Sequence, residues 1–190
     1  SGFTVSLFRY LITIIFERFQ KGFILGHNLP WILIIILLIY LIFSLIIGRL
    51  IVSEPDIKGS GIPQVEAELK GLMSQNWWSI LWKKFLAGVL GISSGLMLGR
   101  EGPSIQVGAV SGKGLARYLK LSKLEERTLI ASGAAAGVSA AFNAPIAGLL
   151  FVVEEVYHHF SSRVWITALS ASLTANLISL RVFGQTPVLA

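Results

Sequence analysis

Charged residues are spread unevenly along this chain, and the gaps between them predict its elements. Gly22 to Gly48 contains no Asp, Glu, Lys or Arg. Within that gap, Leu29 to Gly48 is a run of 20 residues whose centre, Ile32 to Ile47, is nearly all Ile and Leu. A helix of that length spans about 30 Å, the thickness of a bilayer's hydrocarbon core. An element apolar on every face needs either a large core or lipid around it. A chain of 190 residues has little room to bury one on all sides, so a membrane-spanning helix is expected here.

The other apolar segments are of a different kind. Thr4 to Phe16 is apolar except for Arg9, Phe85 to Gly99 is charge-free but glycine-rich, and Ile105 to Leu115 contains Lys113. Thr128 to Val153 is charge-free for 26 residues but is interrupted by Asn143-Ala144-Pro145, and Val164 to Leu180 is a further charge-free run of 17. Several are too short to cross a bilayer, and Gly or Pro breaks them. Transporter folds use such interrupted segments to place helix ends inside the membrane. Irregular backbone is tolerated at that depth only where protein buries it or where it lines a cavity. The expected fold class is therefore all-α: a polytopic membrane protein with short, broken and re-entrant helices, its breaks being the site candidates.

Composition narrows the alternatives. The chain is 54% apolar with a mean hydropathy of +0.72, and only 14% of its residues are charged. Ordinary soluble domains carry about 25% charged residues, so a disordered chain, a coiled coil and a typical water-soluble globule are excluded. Cysteine is absent, which removes disulfides, thiolate metal sites and cysteine nucleophiles. The net charge of +6 would point to nucleic acid in a soluble protein. Here the basic residues sit between apolar segments without a continuous stripe, so a lipid bilayer is the expected partner and nucleic acid is not. No basic flank and early small-residue cleavage pattern opens the sequence, so a signal peptide is not expected.

Three breaks carry chemistry. In Gly59-Ser60-Gly61-Ile62-Pro63, Pro63 opens a helix and Ser60 stands near its N-cap. Exposed N–H groups at such an end carry partial positive charge and bind anions, although a Gly-Pro turn with a serine cap needs no ligand. In Gly99-Arg100-Glu101-Gly102-Pro103-Ser104, two charges interrupt apolar sequence, where ionisable groups are costly and mark function. Pro103 again opens a helix, so the Glu101 carboxylate stands where a bound anion would, and its protonation would vacate that place. The third break, Ala141 to Gly148, follows the small-residue run Gly133 to Gly137 and leads to Glu154 and Glu155 at the end of a short apolar helix. Adjacent helical residues point about 100° apart, so one of the two faces the interior.

Other chemistry finds little support. Glu155 and His158 have the Glu-x-x-His spacing of carboxylate-bridged metal bundles, but such sites need a second copy and further glutamates, so no metal is expected. The Walker, G-x-S-x-G, H-E-x-x-H and dinucleotide fingerprints are missing, and Gly112-Lys113-Gly114 is too short to cradle phosphate. No catalytic residue, enzyme activity or cofactor is expected.

Together the three loops resemble the CLC family of chloride channels and chloride/proton antiporters. The signatures read GSGIP at Gly59 to Pro63, GREGPSIQVG at Gly99 to Gly108 and GAAAGVSAAFNAPIAGLLFVVEE at Gly133 to Glu155. The resemblance implies that Ser60, flanked by Gly59 and Gly61, offers its hydroxyl to a central anion, and that the backbone through Gly102, Pro103, Ser104 and Ile105 lines the path. Glu101 is then the gate that competes with the anion and carries the proton. Glu155 is the inner proton glutamate, with Glu154, Arg100 and Asn143 in supporting positions. Chloride and protons are the implied substrates, because Ser60 and Glu155 are both present. A passive chloride channel of the same fold and a non-transporting assembly domain are the alternatives. The family works as a homodimer whose contact surface includes the equivalents of Pro145 to Val153 and Val164 to Leu180.

The resemblance also implies two inverted repeats. Residues 1–190 read as a single transmembrane domain matching the first, so the missing second repeat is an expected partner and the sequence is expected to be a fragment or a split chain. With a cytoplasmic N-terminus, twelve of the 16 basic residues fall inside: Arg9, Arg49, Lys58, Lys70, Lys83, Lys84, Lys113, Arg117, Lys120, Lys123, Arg127 and Arg163. Arg18, Lys21 and Arg181 fall outside, and Arg100 remains at membrane depth. This follows the positive-inside rule and puts Glu101 on the outer and Glu155 on the inner side, in an integral, multi-pass protein of a bacterial inner membrane or its equivalent.

Overall fold

The computed structural model describes residues 2–26, 30–96, 99–157 and 162–183, with the side chains of residues 25, 26, 30, 155–157, 182 and 183 outside the description. Among the described residues it is built of helices without strands. The order is α1 (Gly2–Gly26), α2 (Pro30–Ser53), a 3-10 turn (Pro55–Ile57), α3 (Ile62–Leu69), α4 (Trp77–Ser93), α5 (Glu101–Tyr118), α6 (Lys123–Phe142), α7 (Pro145–Phe151), a π-helical turn (Val152–Tyr157) and α8 (Ser162–Phe183).

The centre of the fold is the antiparallel pair α5 and α6. Glycines make their approach possible. A Cβ at Gly108 would strike the Gly133 carbonyl, one at Gly112 the Leu129 carbonyl, and one at Gly137 the Ser104 carbonyl. Small residues that let backbones touch are the usual means of joining helices in lipid, where burial of apolar surface supplies no net drive. Around this pair, α8 packs parallel to α6, with the Ser139 hydroxyl donating to the Ser172 carbonyl at 2.8 Å and Ser132 to Thr167 at 3.1 Å. Gly148 of α7 lies on Ala135 and Ser139, which folds α7 back along α6. An apolar cluster of Val65, Leu69, Ile105, Ile130, Leu149 and Val152 joins α3, α5, α6 and α7.

On the other side, Phe8 of α1 fills the space over Gly88 of α4, with the Phe8 and Phe85 rings 5.4 Å apart. Phe19 of α1 stacks on Tyr40 of α2 at 5.4 Å. The segment Trp31–Ser53 is long and apolar enough to cross a membrane, and only 6% of its most apolar stretch is buried. A helix this apolar and this bare matches the sequence expectation. The contacts give two sets of directions: α1, α4, α6 and α8 run one way, and α2, α3, α5 and α7 the other.

Element bounds differ from the charge-free runs for physical reasons. The segment expected over Phe85 to Gly99 is a helix that starts eight residues earlier and stops at Ser93, because Lys83 and Lys84 find acceptors and continue it. Similarly, α1 runs past Phe16 through Glu17, Arg18 and Lys21, and α5 extends beyond Ile105 to Leu115 in both directions. It begins at Glu101 rather than Pro103, since a proline within the first turn forfeits no helical hydrogen bond. Glu154 and Glu155 lie in a π-helical turn, not at the end of an α-helix, because α7 stops at Phe151.

A Gly133→Ala change forces the α5 and α6 backbones apart and should destabilise the fold by about 2 kcal/mol. Gly48→Ala on α2, where a Cβ meets nothing within 4 Å, should leave stability unchanged or slightly raised. Thermal unfolding of the two variants in detergent distinguishes them.

Candidate functional site

The first break is held in a left-handed turn. Gly59 has φ 66° and Gly61 φ 93°, values that side chains beyond glycine adopt at a cost. The Ser60 hydroxyl oxygen accepts from the Ile62 N–H at 3.3 Å, and Pro63 sits in the first turn of α3, where no N–H is needed. Lys84 supports this turn from α4. It is buried, and its ammonium donates to the carbonyls of Ile57 at 2.9 Å and Gly59 at 2.8 Å.

The second break meets the first directly. A Cβ on Gly102 would collide with the backbone and side chain of Ser60, so only glycine permits the approach. Arg100 is the N-cap residue of α5 without a side-chain cap bond, and Glu101 is the first helical residue, its carboxylate beside Gly99. The first N–H groups of α3 and α5 have no helical acceptors. Both helix starts therefore place partial positive charge at the same point.

That point is a cavity of about 520 Å³. Lys58, Gly59, Ser60, Lys84, Glu101, Gly102 and Pro103 line it, together with Ile47 and Ile51 of α2 and Ile92 of α4. It can hold a desolvated anion against N–H dipoles and a hydroxyl, with one carboxylate positioned to compete. Gly61 is buried behind the turn, against Gln106. Ser104 and Ile105 are buried too: the Ser104 hydroxyl donates to the Arg100 carbonyl at 2.7 Å, and Ile105 belongs to the apolar cluster under α3. Neither lines the cavity.

The third break lies apart from the cavity. Asn143 ends α6 in the left-handed conformation, φ 56°, and its side-chain oxygen accepts from Arg9 at 3.2 Å. Arg9 also donates to the Ala140 carbonyl at 2.6 Å. It thus sits in the body of α1, against the C-terminal end of α6. The reason is electrostatic: the last carbonyls of a helix attract a cation. Glu154 is exposed on the π-helical turn, which packs against α3. The side chains of Glu155 and His158 lie outside the described residues.

Sequence reasoning did not single out Lys84, Gln106, Arg9 or the pair of Lys113 and Glu68. Lys113 and Arg9 had a visible signal, a charge inside an otherwise apolar run. Lys84 had none, because it looked like the flank of a span.

An all-helical fold whose broken helices bring their N-termini side by side at a cavity defines a class, the membrane proteins built on half-helices. Residues 37–190 match the family described as voltage gated chloride channel, and the chain belongs to that family. Relatives include the H(+)/Cl(-) exchange transporter ClcA of Salmonella arizonae and of Salmonella newport, each 41% identical over 138 residues. Each match takes in 71% of this chain and 29% of the relative. The X-ray structure of a slow cyanobacterial Cl-/H+ antiporter superimposes with a TM-score of 0.80 at 30% identity, covering 98% of this chain and 45% of that one. The chain thus spans less than half the length of the solved structure it matches. These relatives are transporters, and the family's members are integral membrane proteins.

Lys84→Met leaves the Ile57 and Gly59 carbonyls without their donor. It should cost about 2 kcal/mol of stability, read by thermal unfolding, and speed amide exchange at residues 57–61.

Proposed function

We propose that the complete protein exchanges chloride for protons across a membrane, and that this chain supplies the first of two inverted repeats and half of the anion path. The observation that carries this reading is the meeting of the α3 and α5 N-termini at one cavity with Ser60 and Glu101 on its wall. A chloride ion there takes hydrogen bonds from the Ser60 hydroxyl and from backbone N–H groups at the starts of α3 and α5. Dipoles contribute an attraction weak enough to suit a site that must also release its ion. Two cations line the cavity: Lys84, which is engaged with two carbonyls, and Lys58, which is exposed to solvent.

Glu101 couples the two substrates. Ionised, its carboxylate occupies the place of an anion at the α5 N-terminus. Protonated, it has no claim on those N–H groups, so chloride enters and the proton leaves with the side chain's movement. Glu155, on the turn that packs against α3, receives protons from the inner side, with Glu154 beside it. Arg100 and Asn143 support the second and third breaks. Gly59, Gly61 and Gly102 allow the close approach, Pro103 fixes the first turn of α5, and Ser104 and Ile105 anchor that turn in the protein.

The chain crosses the membrane several times, with α1, α4, α6 and α8 running outward. The basic residues between the other helix ends support an inner location for those loops. The exposed apolar residues Ile146, Leu150, Ile166, Leu173 and Leu177 on α7 and α8 support a homodimer surface there. The activity is transport and not catalysis of a chemical reaction. The family description names a channel, and a passive chloride channel differs from this reading only in moving no protons.

The complete transporter is reconstituted in vesicles with a chloride gradient and no proton gradient, and external pH is recorded. Chloride flow should drive protons uphill. Glu101→Gln should abolish proton movement while chloride flux persists, and Glu155→Gln should do the same from the inner side. Unchanged proton coupling in either variant removes that residue from the mechanism.

A further inference from the structure

Behind the anion cavity, α5 carries a buried charge that the path does not touch. Lys113 is fully buried and pairs with Glu68 at the end of α3, itself 7% exposed. The ammonium also donates to the Gln75 carbonyl at 2.6 Å and to the Ser74 hydroxyl at 3.3 Å. Gln75 is buried as well. Its N–H donates to the Glu68 carboxylate at 3.3 Å, and its side-chain oxygen accepts from Gln106 at 3.1 Å. Gln106, fully buried, donates also to the Asp56 carbonyl at 2.9 Å and presses on Gly61, where any Cβ would strike it. One connected polar network therefore runs from the far end of α3 to the turn before Ser60.

Burying this pair is a poor way to gain stability, since apolar residues of similar volume often do as well. What the hydrogen bonds of this buried network do supply is a preferred arrangement, although the Gln75 side-chain nitrogen and the Gln106 side-chain oxygen have no partner. The short helix α3 needs that. It buries only Val65, Glu68 and Leu69, so apolar packing leaves its direction underdetermined. Pinned at Glu68 by Lys113 and at Gly61 by Gln106, a rod of about 12 Å cannot swing.

We propose that Lys113 and Glu68 are positioning residues for anion binding: they fix the axis of α3, and with it the direction of the Ser60 hydroxyl, which the Ile62 N–H holds, relative to Glu101. This deepens the anion-site reading above and rests on it. Neither residue touches the ion.

The test uses the complete transporter, with chloride binding measured by titration calorimetry and loop order by amide exchange of residues 59–65. The double variant Glu68→Leu, Lys113→Met removes the pin at the far end of α3 at constant net charge. Chloride should bind about tenfold more weakly and the loop should exchange about tenfold faster. Glu68→Gln should stay within about twofold of the parent, because glutamine still accepts from Lys113 and from the Gln75 N–H. A field effect of the Lys113 charge would instead raise affinity in Glu68→Gln and leave the double variant unchanged, which overturns the proposal. A role in packing alone would lower the unfolding temperature with chloride affinity and loop exchange unmoved, which also overturns it. If the double variant does not fold, Gln106→Leu cuts the links to Asp56 and Gln75 without removing a charge. The same weakening is expected there, and parental affinity and exchange overturn the proposal. A parent that binds no chloride refutes the anion-site reading, and loop exchange then decides the positioning role by itself.

Discussion

Backbone N–H groups at the start of a helix have no acceptor within it, and at membrane depth no bulk water takes their place. This fold leaves two such starts, those of the parallel helices α3 and α5, side by side at one cavity. That arrangement requires the glycines where they stand: Gly102 lets α5 reach Ser60, and Gly59 and Gly61 turn the chain through left-handed conformations. It also requires that α5 be held at the right depth, which its backbone contact with α6 through Gly108, Gly133 and Gly137 provides. In the proposed reading these helix starts are the site, and the small residues around them are the means of bringing them together.

Charges inside the fold serve geometry as much as chemistry. Lys84 spends its hydrogen bonds on the Ile57 and Gly59 carbonyls, Lys113 on Glu68 and Gln75, and Arg9 on the end of α6. Each neutralises an irregular segment or a helix terminus that would otherwise be left with unpaired polar groups. Only Glu101 among the acidic groups at the breaks stands on the cavity wall with no described partner role. A weakly held anion among dipoles, next to one carboxylate that can replace it, is what exchange of an anion for a proton needs.

Much of this was legible before any coordinates. The bare apolar helix α2 could be read from Ile32 to Ile47 alone, because lipid imposes no periodicity. The breaks at Gly59, Gly99 and Asn143 could be read from Gly and Pro within apolar runs, and Ser60 and Glu101 followed from the loop chemistry and the family resemblance. Helix bounds were less legible. A lysine at a span's edge ends the apolar pattern but not the helix when a carbonyl waits for it, as with Lys84. The Glu68 and Lys113 pair was illegible because the two residues stand 45 positions apart and meet only once α3 lies along α5. The partners of Arg9 were illegible for the same reason: they are on α6, more than 130 residues away. The Glu154 and Glu155 geometry turned on a π-helical turn, which sequence spacing does not announce.

The central claim is that the converging starts of α3 and α5 form an anion site. Crystals of the complete transporter grown in bromide test it directly, because anomalous scattering locates the ion. The account predicts a bromide peak in the cavity, within about 3.5 Å of the Ser60 hydroxyl and of first-turn N–H groups, and its loss or displacement when Gly102→Leu drives the start of α5 away from Ser60. Bromide bound elsewhere, with this cavity empty at saturating halide, would contradict it.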